Sequence, residues 1–221
     1  MKTNQEFKNA ALDALKGRWP QVLVATIVVV LMVLLIMGPY SSINTLVVNG
    51  KTISSTFILV SIALFFLGGL LVCSPMNVGY TYALYQLYAE GDERVTGNSF
   101  RNGFSRYFRN VWGMFLMGLF VNLWSLLLIV PGFVKMYSYA LTPYILIDYP
   151  ELSANQAINL SKKMMKGHKF DLFYLHLSFV GWAILSIFTL CVGLLWLVPY
   201  MTVTQAAFYQ NVKNEYLSNN N

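Results

Sequence analysis

Three polar side chains lie inside long apolar stretches of this sequence, and they are the residues that could bind a ligand or move a proton. His176 carries an imidazole that changes charge near neutral pH, so it could relay a proton or contact a ligand. Asn122 could bond across helices or line a cavity, and Asn77 follows Pro75 closely enough to satisfy carbonyl groups freed by a proline kink. For His176 and Asn122 the alternative is helix packing, because polar side chains in apolar helices often hydrogen-bond to a neighbouring helix.

Two carboxylates mark the ends of apolar stretches. Asp148 ends one stretch, where it would meet the negative end of a helix dipole and would need a cationic partner. Asp171 opens another stretch, where the dipole favours a negative charge. The candidate partners are cations that the charge pattern described below places on the same side: Lys162, Lys163, Lys166 and Arg109. We predict that both carboxylates form structural ion pairs that hold a neighbouring amphipathic segment in place. We do not expect them to act as a catalytic pair.

Motifs that carry enzyme chemistry are missing from the sequence. It holds no Gly-rich phosphate loop, no Gly-x-Ser-x-Gly turn and no His or Cys spacing typical of a metal site. We therefore expect no metal and no cofactor, and a membrane enzyme is the least favoured of the functions considered below.

The elements that must position these residues are membrane-spanning helices. The chain is 57% hydrophobic and only 11% charged, whereas soluble domains have about 25% charged residues. Four stretches hold no Asp, Glu, Lys or Arg: 19–50, 52–89, 110–134 and 172–212. Uncharged apolar stretches of about 18 or more residues are typical of transmembrane helices. We predict an all-α integral membrane protein, one domain over residues 1–221, with six spans at 20–38, 57–80, 111–130, 131–148, 171–190 and 193–212.

Glycine and proline indicate how these spans are joined. Val130-Pro131-Gly132 and Cys191-Val192-Gly193 interrupt long apolar runs, so we predict tight turns at both places. Pro75 is expected to kink the second span. The sequence leaves the conformation of residues 38–75 open, because this enlarged first hairpin could project from the bilayer or re-enter it.

The distribution of basic residues predicts the orientation. When the loops alternate between two sides, every Lys and Arg except Lys51 and Lys135 falls on one side, which also receives both termini. Such a bias places that side in the cytoplasm. The net charge of +6 is then explained by contact with the phospholipid bilayer and its anionic headgroups, and not by binding to nucleic acid.

A threefold internal repeat is predicted at residues 1–92, 96–150 and 151–217. Each unit begins with a basic amphipathic segment, expected to lie in the membrane interface as a helix, and continues with two spans. Thr3-Asn-Gln-Glu6 and Ser153-Ala-Asn-Gln156 are capping-box patterns that begin two of these segments. The middle segment has an aromatic side and a basic side; its members are Phe100, Phe104, Tyr107, Phe108, Arg101, Arg106 and Arg109. Gly79-Tyr-Thr-Tyr-Ala-Leu84 resembles Met136-Tyr-Ser-Tyr-Ala-Leu141, and Thr204–Phe208 falls in the matching place of the last span.

The C-terminal half resembles a known family. The run Ile147-Asp148-Tyr149-Pro150 is followed by Ser153, Ala157, Ser161, Met165-Lys166-Gly167, Gly181-Trp182 and Pro199-Tyr200. This pattern resembles the bacterial domain-of-unknown-function 975 family, most specifically over residues 140–210. The resemblance implies a multi-span protein of the bacterial cytoplasmic membrane and implies no substrate or active site.

Two functions from different classes follow. A non-enzymatic membrane-organising or accessory protein is favoured, because polar residues in the spans are few and the amphipathic segments are basic. The alternative is a carrier or channel for a lipid or small molecule, which rests on His176, Asn122, Asn77 and the Pro75 kink, since broken helices often frame transporter sites. A protein partner or a homo-oligomer stays open.

Overall fold

The computed structural model describes residues 2–48, 55–189 and 192–219, and the secondary structure in these ranges is helical. Twelve α-helices and one π-helical segment follow one another there. Their bounds are α1 Asn4–Leu15, α2 Trp19–Val48, α3 Ser55–Ala63, the π-helical segment Leu64–Cys73, α4 Ser74–Glu90, α5 Val95–Ser105, α6 Tyr107–Leu127, α7 Ile129–Tyr139, α8 Thr142–Asp148, α9 Ala154–Met164, α10 Lys169–Leu177, α11 Val180–Phe188 and α12 Leu194–Ser218.

Three helical stretches in the described ranges are long and apolar enough to cross a membrane: Trp19–Ile36, Ser55–Glu90 and Lys169–Phe188. Large apolar side chains of these stretches are exposed, such as Leu35 at 78% and Phe188 at 81%. Exposure on this scale is unfavourable in water and favourable in lipid, because lipid tails are as apolar as these side chains. The all-helical fold and the association with a membrane are therefore as predicted.

Two of the predicted spans are each broken into two helices. The predicted span 131–148 divides into α7 and α8 at Ala140–Leu141, because Pro143 in the first turn of α8 cannot donate to the carbonyl one turn before it. The predicted span 171–190 divides into α10 and α11 at Ser178–Phe179. There the Lys8 ammonium of α1 donates to the Ser178 carbonyl at 2.9 Å, which stabilises an open end of α10.

The predicted ends of several spans also differ from the structure. The predicted turn at Val130-Pro131-Gly132 is wrong by about two residues, because the chain turns at Leu128, which has extended φ and ψ, and Pro131 lies in the first turn of α7. The helix of the first predicted span, α2, continues past residue 38 to Val48, and that of the last, α12, continues past residue 212 to Ser218. The other predicted turn includes Cys191, which lies outside the described residues, as do residues 49–54 of the first hairpin.

The second predicted span is a helix from Ser55 to Glu90 that changes its winding midway. The π-helical segment ends immediately before Ser74-Pro75, and π-helical turns are a recognised cause of helix bending. Ser74 donates from both its N–H and its hydroxyl to the Gly69 carbonyl. The Leu71 carbonyl, four residues before Pro75, accepts a hydrogen bond from the Tyr107 hydroxyl at 2.7 Å. Neighbouring hydroxyl groups thus donate hydrogen bonds to carbonyl groups of the irregular segment.

The first and third amphipathic segments form capped helices packed against the rest of the protein. Thr3 with Glu6, and Ser153 with Gln156, make the two reciprocal hydrogen bonds of a capping box, as predicted. The apolar face of each helix is buried; its members are Phe7, Ala11 and Leu15 on α1, and Ala154, Ala157, Ile158 and Met164 on α9. Gly17 and Gly167 follow the two helices with φ of 79° and 95°, a conformation that glycine adopts at least cost.

The middle segment, α5, differs from the other two because it does not bury its aromatic side. Its buried side is small and polar and consists of Val95, Asn98, Ser99, Asn102 and Gly103. Gly103 lies against α4 so closely that a Cβ atom there would be 2.4 Å from the Pro75 carbonyl oxygen, and one on Gly79 would be 1.9 Å from the Ser99 oxygen. Only glycine permits this approach of two helix backbones.

Candidate functional site

The most concentrated group of polar side chains surrounds Asp148, at the C-terminus of α8. One carboxylate oxygen accepts hydrogen bonds from the Tyr209 hydroxyl and the Lys213 ammonium, each at 2.6 Å. The other accepts a longer bond from the Tyr82 hydroxyl at 3.4 Å. These donors come from α4 and α12 and offset the unfavourable position of a carboxylate at the negative end of a helix. We call Asp148, Tyr82, Tyr209 and Lys213 the Asp148 clamp.

Tyrosine rings cover one side of the clamp. Tyr144 and Tyr209 stack with ring centroids 4.8 Å apart, and Tyr85 meets them edge-on at 6.1 and 5.4 Å. Such offset and edge-on pairs are the favourable arrangements of aromatic rings. Because Asp148 and Lys213 have only 14% and 22% of their side chains exposed, the ion pair is shielded from water and weakened less by salt than a surface pair.

Lys213 has two neighbours at this place. Its ammonium pairs with Asp148 at 2.6 Å and lies 5.4 Å from the centre of the Tyr149 ring. The clamp is therefore a neutralised pair with two added tyrosine hydroxyls, an arrangement suited to holding α4, α8 and α12 together.

The partner of Asp148 differs from the predicted ones. Lys162 and Lys163 at the end of α9, and Lys166 in the turn that follows, are exposed and form no ion pair within the described part of the chain. The remaining candidate, Arg109, donates instead to the carbonyl oxygens of the loop that follows Asp148; these belong to Tyr149, Pro150 and Leu152, at 3.3, 2.7 and 2.8 Å. A sequence separation of 65 residues hides the true partner from a local charge pattern.

Lys213, Tyr209 and Tyr82 are site residues that were not predicted from the sequence. One available signal is the spacing of Tyr209 and Lys213, which are four residues apart and therefore on one face of α12. The other is the predicted correspondence of the tyrosine-rich returning helices, which aligns Tyr85 of α4 with Tyr209 of α12.

Asp171 contacts a histidine of its own segment and none of the predicted lysines. Its carboxylate lies 3.4 Å from Nδ1 of His168, and Nε2 of the same ring lies 3.4 Å from Glu215 of α12. His168 thus bridges the start of α10 and the end of α12, while Asp171 occupies the first turn of α10, where the helix dipole favours its charge.

His176 is the one predicted intramembrane residue that has partners on other helices. It is partly buried on α10, within hydrogen-bonding reach of the Gln205 side chain, and its ring lies 5.8 Å from that of Tyr137. Gln205 also donates to the Ala140 carbonyl at 3.4 Å, at the break between α7 and α8. His176 and Gln205 therefore form a small polar contact between a broken helix and the middle of α12.

Asn122 and Asn77 lie apart from that contact. Asn122 is exposed on α6 and donates to the Gly118 carbonyl of its own helix at 2.8 Å. Asn77 is exposed on α4, and the carbonyls beside Pro75 are satisfied by Ser74 and Tyr107 instead. The structure therefore does not bring His176, Asn122 and Asn77 together.

Among the cavities in the described residues, two have similar volumes. One of about 500 Å³ has apolar walls that include Trp19, Trp182 and Trp196. The other, of about 530 Å³, lies between the start of α2 and residues 93–97. Neither is lined by His176, Asn122 or Asn77. Within the described ranges, no three His, Cys, Asp or Glu residues are close enough to hold a metal ion.

The long apolar helices indicate the class of a helical membrane-associated protein. Within this class, residues 126–216 match the family model described as Protein of unknown function (DUF975), so the resemblance inferred from the sequence is confirmed. Asp148, Tyr209 and Lys213 fall within the matched segment. No curated protein and no solved structure matches the chain.

Proposed function

We propose that this chain is a six-span protein of a bacterial cytoplasmic membrane, with both termini and its basic segments in the cytoplasm. The six spans are α2, the helix from Ser55 to Glu90, α6, α7 with α8, α10 with α11, and α12. Support comes from the three helical stretches of membrane-spanning length and from the exposed apolar stripe of α6, which includes Phe108 at 86% and Leu126 at 86%.

We also propose that the chain is built from three repeats. Corresponding features begin the first and third: a capping box, a helix with a buried apolar face, and a glycine with positive φ before the next helix. Corresponding positions of the returning helices are all buried, namely Leu84, Leu141 and Phe208. A shared ancestry of the three units would explain why these equivalent side chains are all buried, Leu141 and Phe208 in one hydrophobic cluster and Leu84 in another.

For function, we propose a non-enzymatic membrane-organising or accessory role in which the cytoplasmic face binds anionic lipid headgroups. The observation that carries this proposal is the division of charge. Partly buried Lys213 is neutralised by Asp148, whereas Lys162 and Lys163 at the end of α9, and Lys166 in the turn that follows, are exposed. Cations free of protein partners at an interface are available to lipid phosphates.

A carrier for a lipid or small molecule is the second candidate. It is favoured by the contact of His176 with Gln205 beside two helix breaks, because broken helices supply polar groups at membrane depth in transporters. In that case His176 and Gln205 would be part of a binding site, and a bound molecule would depend on them.

Native mass spectrometry of the protein released from lipid nanodiscs separates the two functions. For the membrane-organising role, we expect the protein to carry exchangeable phosphatidylglycerol. The triple substitution Lys162→Gln/Lys163→Gln/Lys166→Gln should reduce the amount of bound phosphatidylglycerol, and His176→Leu should leave it unchanged. A molecule of one defined mass that is retained by wild type and lost in His176→Leu would establish the carrier instead. Asn122→Leu is the matched control, since Asn122 bonds only within its own helix.

A further inference from the structure

Aromatic residues of α5 and of the first turn of α6 form one row on the outside of the protein. The rings of Phe100 and Phe104 stack 6.5 Å apart, those of Phe104 and Tyr107 stack 5.9 Å apart, and Phe108 meets Tyr107 edge-on at 5.5 Å. Phe100 and Phe104 are exposed by 37% and 39%, and Phe108 by 86%. We call these four residues the aromatic row. In α1 and α9, by contrast, the apolar face is turned inward and buried.

The other side of α5 is fixed to the protein, which prevents the helix from rolling to bury the row. Gly103 touches the backbone of α4 at Pro75. Asn102 donates to the Gln86 side chain at 2.7 Å, and Asn110 donates to the Gly103 carbonyl at 2.8 Å. The small and polar side is therefore held inward by close backbone contact and hydrogen bonds, and the aromatic row has to face outward.

The row is continuous with the apolar surface of α6. Phe108 is followed at helical spacing by exposed Trp112 and Phe115, whose rings lie 5.4 Å apart, and then by exposed Leu119. This stripe runs along α6, a proposed span, and would therefore face lipid. Because the aromatic row is continuous with the stripe, the row would face lipid as well. Basic residues flank the row: Arg101 is exposed on α5, and Arg106 is exposed at its end.

We propose that α5 is an in-plane membrane anchor that inserts its aromatic row into the cytoplasmic leaflet, with Arg101 and Arg106 at the level of anionic phospholipid headgroups. The occupant of the row is the lipid leaflet, because the row joins a lipid-facing stripe and carries cations at its polar edge. Interfacial helices of this kind bury their apolar side about 5–10 Å below the headgroups. The inference rests on the proposed topology, which places α5 at the cytoplasmic interface.

Depth-dependent fluorescence quenching tests this proposal. Phe104→Cys is made in the full chain with Cys73 and Cys191 replaced by serine, labelled with bimane, and reconstituted into vesicles of phosphatidylglycerol and phosphatidylcholine. Part of the phosphatidylcholine carries bromine on its acyl chains. Asn159→Cys, exposed on the polar side of α9, is the matched control. The expected result is severalfold stronger quenching at position 104 than at position 159, and Phe100→Cys is expected to behave as position 104 does.

Equal quenching at positions 104 and 159 would overturn the proposal. A blue-shifted but unquenched label at both 104 and 100 would also overturn it, since protein and not lipid would then cover the row. Failure of the underlying topology is recognised separately. Glu93→Cys, in the exposed loop before α5, would then react with a membrane-impermeant maleimide added outside intact cells, whatever the quenching at position 104.

Discussion

The close crossing of α4 and α5 makes a strong prediction for Gly103→Ala. A Cβ atom at residue 103 would stand 2.4 Å from the Pro75 carbonyl oxygen and 3.1 Å from its carbon, and both are backbone atoms that cannot rotate away. The two helices would have to separate by roughly 1 Å, which forfeits a quarter to a half of each contact's dispersion energy. Overpacking of this kind costs about 1–3 kcal/mol.

Gly97→Ala on the same helix is the matched control. Residue 97 is exposed and has open space where a Cβ would lie. Both substitutions gain the same helix propensity, about 1 kcal/mol. The difference in unfolding free energy between the two variants therefore equals the overpacking cost alone, about 1–3 kcal/mol with Gly103→Ala the less stable.

Equilibrium unfolding in mixed micelles with increasing sodium dodecyl sulfate, followed by circular dichroism, measures this difference. If Gly103→Ala is as stable as Gly97→Ala, then α5 does not lie against the backbone of α4, and the inward orientation of its small side is wrong. The aromatic row would lose its structural basis with it.

Three further predictions use the same unfolding assay. Tyr107→Phe removes the hydroxyl that satisfies the Leu71 carbonyl beside the π-helical segment and is expected to cost about 1 kcal/mol. Ser153→Ala removes the N-cap of α9 and is expected to cost about 1 kcal/mol. Hydrogen bonds from Arg94 hold the pKa of Asp92 well below its usual 3.8, so the stabilisation that Asp92 gives is present above about pH 3.8 and is lost as the pH falls through the lowered pKa. The difference in stability between wild type and Asp92→Asn is therefore expected to disappear on acidification.

Each of these has its own control and its own contrary result. Tyr174→Phe, at an exposed tyrosine of α10, should leave the unfolding free energy unchanged. If Tyr107→Phe also leaves it unchanged, then the hydrogen bond to the Leu71 carbonyl adds no stability. Ser125→Ala removes a hydroxyl that bonds only within α6, and Ser153→Ala should cost more. A stability difference for Asp92→Asn that stays constant with pH would show that its carboxylate charge is not what matters.

The membrane character and the helix caps could be predicted because their signals are local. Uncharged apolar stretches follow directly from residue type, and a capping box needs only residues three positions apart, as Thr3 and Glu6 are. The break at Ser178 could not be predicted in this way. The Lys8 ammonium that bonds its carbonyl comes from 170 residues away in the chain.

The candidate site was predicted only in part for the same reason. Asp148 was recognised because its position at a helix end demands a partner, but Lys213 and Tyr209 meet it only through packing of α8 against α12. The orientation of α5 could not be predicted because its buried side is mostly small and polar, whereas residue type alone places polar side chains outside. What decides between them is the backbone contact of Gly79 and Gly103, which is a tertiary feature.

Cysteine accessibility tests the orientation of the basic segments. Single cysteines at Glu93, Val130 and Asn159, in a chain without Cys73 and Cys191, are exposed to a membrane-impermeant maleimide in intact cells and again after lysis. We predict that only position 130, beside the turn between α6 and α7, reacts in intact cells, and that all three react after lysis. Reaction of position 93 or 159 in intact cells would contradict the proposed topology.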